Sequence, residues 1–259
     1  MDGRAIIAGS GALPGLLLQA GPAHVVAFEG VPIAADGAPR IEARFERLGA
    51  LFDALSAAGV TEVCFAGAMG RPPLDPAALD DLTKALLPRL MQAMARGDDA
   101  LLRDVAALFE ERGFAVRSAQ EIRPDLLASE GCLAGAPLPE RDVARARAVL
   151  EALGPLDVGQ AAVAGRGQIL GIETLQGTDA MLAFVAETEP GSGGVLVKRP
   201  KPGQDLRFDV PAIGPGTVAA AARAGLAGIE IAAGGVLMLD PASVRAACAE
   251  AGLALWASP

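Results

Sequence analysis

RAIIAGSGALPGLLLQAG, residues 4–21, contains a short β-branched run, a glycine-rich turn and a stretch with helical periodicity. This order predicts a buried strand, a tight turn and a helix. The pattern continues, because HVVAF at 24–28 and VTEVCFAG at 60–67 are typical of strands and RLGALFDALSAAG at 47–59 is typical of a helix. Alternating strands and helices indicate an α/β fold with a Rossmann-like parallel sheet, which binds ligands at the carboxyl ends of its strands.

The second half of the chain has a different pattern. Residues 123–139 carry prolines and glycines without periodicity. We therefore predict an N-terminal domain over 1–128, a linker over 129–139 and a C-terminal α+β domain with a mixed sheet over 140–259. Within the last domain the pattern predicts hairpins at 159–173 and 227–239 and strands at 193–199 and 205–210.

Composition excludes several classes of protein. Of the 259 residues, 52% are hydrophobic and 20% charged, which predicts a globular chain. The net charge of -9 argues against a nucleic-acid partner, because phosphate backbones require a cationic surface. A single histidine cannot supply the several imidazoles of a zinc or dinuclear metal centre. Three cysteines without metal-type spacing indicate reduced thiols of a cytoplasmic protein, and no apolar run is long enough to span a membrane.

The segment KRPKPGQDLRFDVPAIG, residues 198–214, concentrates opposite charges. If residues 205–210 form a strand, Arg207 and Asp209 project from the same face. A carboxylate among cations stays ionised, so Asp209 suits a divalent metal or an attacking water. Lys198, Lys201 and Arg207 would hold phosphate oxygens and balance developing charge. The alternative is an exposed strand edge protected by charges, and spacing alone does not decide between the two.

Two loops follow predicted strands in the first half. AGSGALP at 8–14 could let the backbone approach a phosphate, although it departs from the dinucleotide-binding GxGxxG pattern and is equally explained as a simple tight turn. FAGAMGRPPL at 65–74 offers Arg71 to an anion and Pro73 and Leu74 to an apolar group, with ordinary loop packing as the alternative.

Two helices carry further candidates. Thr178 begins the predicted helix at 178–188, where it would act as an N-cap or, in a cleft, help to bind an anion. LLPRLMQAM at 86–94 could line an apolar groove, and core packing is the alternative for that helix.

Taken together, these stretches resemble the LpxI family, the UDP-2,3-diacylglucosamine pyrophosphatases of lipid A synthesis. The resemblance covers nearly the whole chain and rests on an ordered set of motifs: AGSGALP, FAG with RP at 65–72, RGDDALLR with FE and GF at 96–114, LDVGQ at 156–160, QGTDAML at 176–182 and KPxQDxRxDxPxIG at 201–214. Ser10 is a departure, because a third consecutive glycine is common there.

The resemblance implies two domains with the substrate between them. It also implies Mg²⁺-dependent hydrolysis of UDP-2,3-diacylglucosamine to UMP and 2,3-diacylglucosamine 1-phosphate (lipid X) at the inner leaflet of the cytoplasmic membrane. Asp209 matches the family's critical carboxylate. Substrate contacts of the family map onto Gly11, Ala12, Leu13, Pro73, Leu74, Met91, Ala161, Thr178 and Met181.

Other functions stay open at this stage. A non-catalytic carrier of nucleotide sugars or lipids would use the same groups, and the first glycine turn alone would suit a nicotinamide-dependent oxidoreductase. Because the implied product is a lipid, we expect a cytoplasmic protein peripheral to the inner membrane. For the oligomeric state we assume a homodimer.

Overall fold

The chain divides into two compact units in the computed structural model, which describes residues 3–70 and 73–259. Arg71 therefore lies outside the described residues. The first unit runs to Pro124 and includes Arg207–Asp209, and the second comprises Asp125–Leu206 and Val210–Pro259. No helix in the described part of the chain is both long and apolar enough to cross a membrane.

The first unit is built on a parallel sheet, as predicted. Over the described residues this sheet has five strands in the order β3-β2-β1-β4-β5. The strands are β1 (Arg4–Ala8), β2 (His24–Phe28), β3 (Arg40–Ala43), β4 (Glu62–Ala66) and β5 (Ala115–Arg117). Strand β3 was not predicted from the sequence, because two of its four residues are charged and the strand lies at the sheet edge, where one side is solvated.

Helices cover this sheet with an aromatic core. They are α1 (Leu13–Leu18), α2 (Leu48–Ala57), α3 (Asp81–Arg96), α4 (Asp98–Glu110) and α5 (Ala119–Ile122). Phe109 contacts three other rings in this core: Phe52 and Phe65 edge-on at 5.0 Å and 5.3 Å, and Phe114 at 6.2 Å. Such contacts add to the free energy of burying the rings themselves.

Asp80 accepts hydrogen bonds from backbone amides at the N-termini of two helices. It is the N-cap of α3, where its Oδ1 accepts a hydrogen bond from the Thr83 amide at 2.7 Å. Its Oδ2 accepts from the amides of Gly49 at 2.8 Å and Ala50 at 3.3 Å in the first turn of α2. Because the α2 N-cap residue Arg47 makes no side-chain cap, Asp80 satisfies helix amides that would otherwise lack protein partners.

The second unit contains a mixed sheet, again as predicted. Its six strands within the described residues have the order β6-β13-β11-β9-β7-β8. They are β6 (Gly131–Ala134), β7 (Ala161–Gly165), β8 (Gln168–Ile172), β9 (Val195–Lys198), β11 (Gly228–Ala232) and β13 (Ala254–Ser258). The central strands β9, β11 and β13 are parallel, and β6, β7 and β8 are added antiparallel to their neighbours. Two short strands, β10 (Ala212–Ile213) and β12 (Leu237–Met238), pair separately.

Helices pack on both faces of this sheet. They are α6 (Glu140–Leu153), α7 (Gly177–Thr188), α8 (Pro215–Arg223) and α9 (Pro241–Ala251). Alternation along β9 explains the two layers: Val195 and Val197 pack with α6, whereas Leu196 belongs to the larger core with α7, α8 and α9.

Three sequence expectations differ from the structure. Residues 206–208 form a turn rather than part of a strand at 205–210, because nearby prolines limit strand pairing and Phe208 packs against the core of the first unit. The predicted hairpin at 227–239 is wrong, since β11 and β12 belong to different sheets. The residues predicted as a linker, 129–139, include β6, which pairs with β13.

Candidate functional site

Lys198, predicted to hold phosphate, lies at the carboxyl end of β9. Its side chain is largely buried, and its Nζ donates a hydrogen bond to Thr178 Oγ1 at 2.7 Å. The Thr178 hydroxyl in turn donates to Glu173 Oε2 at 2.8 Å, and this carboxylate oxygen lies 3.8 Å from Lys198 Nζ. Ala161 is the antiparallel register partner of Lys198. The fold therefore brings together three of the predicted site residues: Ala161, Thr178 and Lys198.

Local chain geometry places Glu173 in this cluster. Glu173 directly follows β8, and its amide donates to the Ala161 carbonyl at 2.8 Å. Gly159 allows the backbone of Glu173 to approach closely, because a Cβ added at this glycine would lie 2.0 Å from the Glu173 carbonyl oxygen. The φ of 59° at Gly159 also favours glycine. Glu173 was not among the residues predicted from the sequence, although a carboxylate between a strand end and QGTD is the signal that could have identified it.

The N-cap interpretation of Thr178 is wrong. Helix α7 begins at Gly177, its N-cap is Gln176, and Thr178 is the second helical residue. The Thr178 hydroxyl bonds to Glu173 and Lys198 instead of to a helix amide. Met181, one turn further along α7, is buried in the core, with its side chain against Gly171 of β8.

A cavity of about 280 Å³ lies beside this cluster in the second unit. It is lined by Gln176, Gly177, Thr178, Asp179, Lys198, Ala212 and Thr217. The lining includes the first turns of both α7 and α8, whose amide ends carry partial positive charge. Together with the Lys198 ammonium, these amides give the cavity the donors needed for an anionic or strongly polar ligand. The nearby Asp179 and Glu173 carboxylates would repel an anion.

Asp209, the predicted catalytic carboxylate, ends the short segment Arg207–Asp209, which belongs to the first unit. It is partly buried. Two residues before it, Arg207 pairs with Glu110 at the end of α4, with 2.7 Å between Nη1 and Oε1. The Arg207 guanidinium also lies 5.8 Å from the Phe208 ring centre. These contacts anchor the segment in the absence of a strand.

Lys201, the remaining predicted cation, belongs to the second unit. Its Nζ forms an ion pair with Asp157 of the LDVGQ motif. Thus Lys198, Lys201 and Arg207 each have a carboxylate partner, and a phosphate would have to compete with those partners.

The remaining predicted contacts lie in the first unit. Gly11, with φ 96°, and Ala12 precede Leu13, the first residue of α1. Pro73, Leu74 and Met91 are exposed, and Met91 on α3 has 62% of its surface accessible.

The loops after β1 and β4 are hydrogen-bonded to each other. The Ser10 amide donates a hydrogen bond to the Ala68 carbonyl at 2.7 Å, and the Ala68 amide donates one to the Ser10 carbonyl at 3.0 Å. A Cβ at Gly9 would lie 2.5 Å from the Ala68 carbonyl oxygen, so glycine permits this approach. The predicted loops at 8–14 and 65–74 therefore meet through Ser10 and Ala68, at the carboxyl ends of β1 and β4.

A Mg²⁺ ion bound by the described residues would also need oxygens from a ligand. In the described ranges no three His, Cys, Asp or Glu side chains form a group able to hold a metal ion. Mg²⁺ commonly uses one or two protein carboxylates together with substrate phosphates and water. Asp209 could supply such a carboxylate.

The two units, with adjoining glycine loops in one and a lysine-containing cavity in the other, define a two-domain α/β protein with candidate sites for anionic or strongly polar ligands. Residues 4–126 match the model of the LpxI N-terminal domain, and residues 129–256 match that of the LpxI C-terminal domain. The UDP-2,3-diacylglucosamine pyrophosphatase LpxI of Caulobacter vibrioides is 39% identical over an alignment that spans 96% of this chain and 94% of that protein. The chain belongs to the LpxI family.

Proposed function

We propose that this chain is an enzyme of lipid A biosynthesis that hydrolyses the diphosphate of UDP-2,3-diacylglucosamine. The products would be UMP and 2,3-diacylglucosamine 1-phosphate. The observation that carries this proposal is the similarity to the Caulobacter vibrioides pyrophosphatase, which extends over both units rather than over one.

Asp209 is the residue we propose for the chemical step. Its carboxylate would hold Mg²⁺ or position the attacking water, and the metal when bound would neutralise charge on the diphosphate. Lys201 and Arg207 would exchange their carboxylate partners for phosphate oxygens as negative charge develops, and Lys198 would balance this charge from its place beside Glu173. By family analogy, water attacks the phosphorus on the sugar side.

The substrate contacts divide by chemistry. The exposed apolar side chains of Leu74 and Met91, with Pro73, suit acyl chains. Gly11, Ala12 and Leu13 offer backbone at the start of α1, and Ala161 and Thr178 lie at the polar cluster around Lys198. Met181 would support the α7 end of that cluster from the core.

A diacylated substrate also supports a peripheral association with the cytoplasmic face of the inner membrane. Co-sedimentation with vesicles that contain the substrate lipid would test this association. Light scattering of the purified chain would test the assumed homodimer, and a monomer mass would contradict it.

Release of UMP from UDP-2,3-diacylglucosamine tests the proposed activity directly. Wild-type protein should release UMP with Mg²⁺, stop when the metal is chelated, and recover when Mg²⁺ is restored. Asp209→Ala should lower kcat by about a thousandfold, which is typical for loss of a principal catalytic group. Asp81→Ala is a matched control, because the Asp81 side chain is fully exposed and contacts Lys84 at 3.5 Å.

Two results would contradict the proposal. Binding of UDP-2,3-diacylglucosamine without turnover would identify a carrier, and near-normal UMP release by Asp209→Ala would remove that residue from the mechanism. In ¹⁸O-labelled water the label should enter the sugar phosphate, so label in UMP would contradict attack at the sugar-side phosphorus.

A further inference from the structure

We propose that Glu173 lowers the affinity of the Thr178 cavity for phosphate groups and makes this cavity select ligand groups that donate hydrogen bonds. The inference rests on the proposed function in taking the cavity as part of the substrate site. The cavity, the buried lysine and the carboxylate behind Thr178 supply the argument.

The first step is the direction of the Thr178 hydroxyl hydrogen. A lysine ammonium can only donate hydrogen bonds, and an ionised carboxylate can only accept them. Thr178 Oγ1 lies 2.7 Å from Lys198 Nζ and 2.8 Å from Glu173 Oε2. The hydroxyl therefore accepts from Lys198 and gives its hydrogen to Glu173. What Thr178 can still offer the cavity is a lone pair, which accepts a hydrogen bond and repels a phosphate oxygen.

The second step concerns charge. Lys198 is the lysine among the residues that line the cavity, and Glu173 Oε2 lies 3.8 Å from its ammonium. Both side chains are largely buried, with 10% and 13% of their surfaces exposed, so solvent screens this pair weakly. Asp179 adds a second negative charge to the lining. Glu173 thus offsets the attraction that Lys198 and the two helix N-termini exert on an anion.

The consequence is a preference among parts of the substrate. Sugar hydroxyls and an amide N–H can donate to the Thr178 lone pair, whereas an ionised diphosphate has only acceptors. Thr178 therefore contacts a sugar or acyl-amide group of UDP-2,3-diacylglucosamine. Inorganic pyrophosphate, which lacks these donors, binds weakly.

Calorimetric titration with inorganic pyrophosphate, without Mg²⁺, tests the role of Glu173. Glu173→Gln removes the negative charge, and its amide can donate to Thr178 and turn the hydroxyl hydrogen towards the cavity. We expect pyrophosphate affinity to rise by about tenfold or more. Glu189→Gln is the matched control, because it removes the same charge from a glutamate whose cationic partner, Arg166 at 2.6 Å, is exposed like Glu189 itself. Its affinity should equal that of wild type.

An unchanged or lower affinity in Glu173→Gln overturns the proposal, because a purely structural carboxylate gives that result. An equal gain in Glu189→Gln also overturns it, since the gain would then reflect net charge alone.

Thr178→Val provides a second test if Glu173→Gln does not fold. We expect pyrophosphate affinity within about twofold of wild type, and a tenfold loss would show that the hydroxyl donates to phosphate. These titrations require no turnover. Absence of UMP release by wild type would therefore contradict the proposed function while leaving the Glu173 comparison to be decided by binding.

Discussion

Replacing Asp80 with alanine should destabilise the first unit more than an ordinary cap mutation. The Asp80 carboxylate accepts hydrogen bonds at the N-termini of both α2 and α3. Loss of one N-cap side chain typically costs about 1 kcal/mol, so two helices account for about 2 kcal/mol. We therefore expect Asp80→Ala to lower the free energy of unfolding by about 2 kcal/mol.

Urea denaturation combined with hydrogen exchange detected by mass spectrometry would measure this loss. Peptides covering 48–57 and 81–96 should exchange faster together in Asp80→Ala, because one carboxylate serves both helices. Asp81→Ala, which removes the same charge from an exposed neighbouring position, should change the free energy of unfolding by less than about 0.5 kcal/mol. Equal effects of the two substitutions, or faster exchange in α3 alone, would refute the double-cap reasoning.

The same carboxylate predicts a pH dependence. Burial raises the pKa of Asp80, but hydrogen bonds from Thr83, Ala50 and Gly49 together outweigh this effect and hold the pKa below its usual value. A lowered pKa in the folded state means that the stabilisation is fully present above the unfolded-state pKa of about 3.9 and is lost as pH falls through the folded-state pKa. The difference in stability between wild type and Asp80→Ala should therefore shrink on acidification from about pH 5.

Three further substitutions or reactions test other parts of the structure. In Gly159→Ala the new Cβ would lie 2.0 Å from the Glu173 carbonyl oxygen and would displace that residue. We therefore expect the rate of UMP release by the folded variant to fall by about tenfold or more. Glu230→Ala should cost about 2 kcal/mol in urea denaturation followed by fluorescence of the single tryptophan. The substitution removes a buried carboxylate that pairs with two partly exposed arginines, Arg147 and Arg199, and a cost below about 1 kcal/mol would contradict this reasoning. Burial raises the pKa of the Cys64 thiol to about 12. Ellman's reagent at pH 8 should therefore modify the exposed Cys132 and leave Cys64 unmodified until the chain unfolds. Rapid reaction of Cys64 in the native protein would refute its burial.

Much of the fold could be predicted from the sequence because the deciding interactions are local. The β-branched runs that became β1, β2 and β4 are continuous apolar stretches, and such stretches are buried in parallel sheets. The hairpin of β7 and β8 follows from two apolar runs around the turn at 165–167. Edge strands were harder to recognise: β3 carries charges, and β6 lies among prolines and glycines.

Pairings between distant residues were not available from the sequence. Segment 205–210 has an alternating pattern, yet its turn is stabilised by the packing of Phe208 and the pairing of Arg207 with Glu110, a partner 97 residues away. Similarly, β11 and β12 are neighbours in sequence but belong to different sheets. Local propensity does not include these long-range contacts, which tertiary packing supplies.

The sequence by itself determined the alternation of strands and helices, the chemical types of the candidate residues and the resemblance to one family, because these depend on residue order and spacing. Only the tertiary structure decided that Lys198 meets Thr178 and Glu173, and that the Thr178 hydroxyl bonds to a carboxylate rather than capping its helix. The physical reason is that hydrogen-bond direction and charge balance depend on atoms a few ångströms apart in space. Strand pairing brings those atoms together from separate parts of the chain.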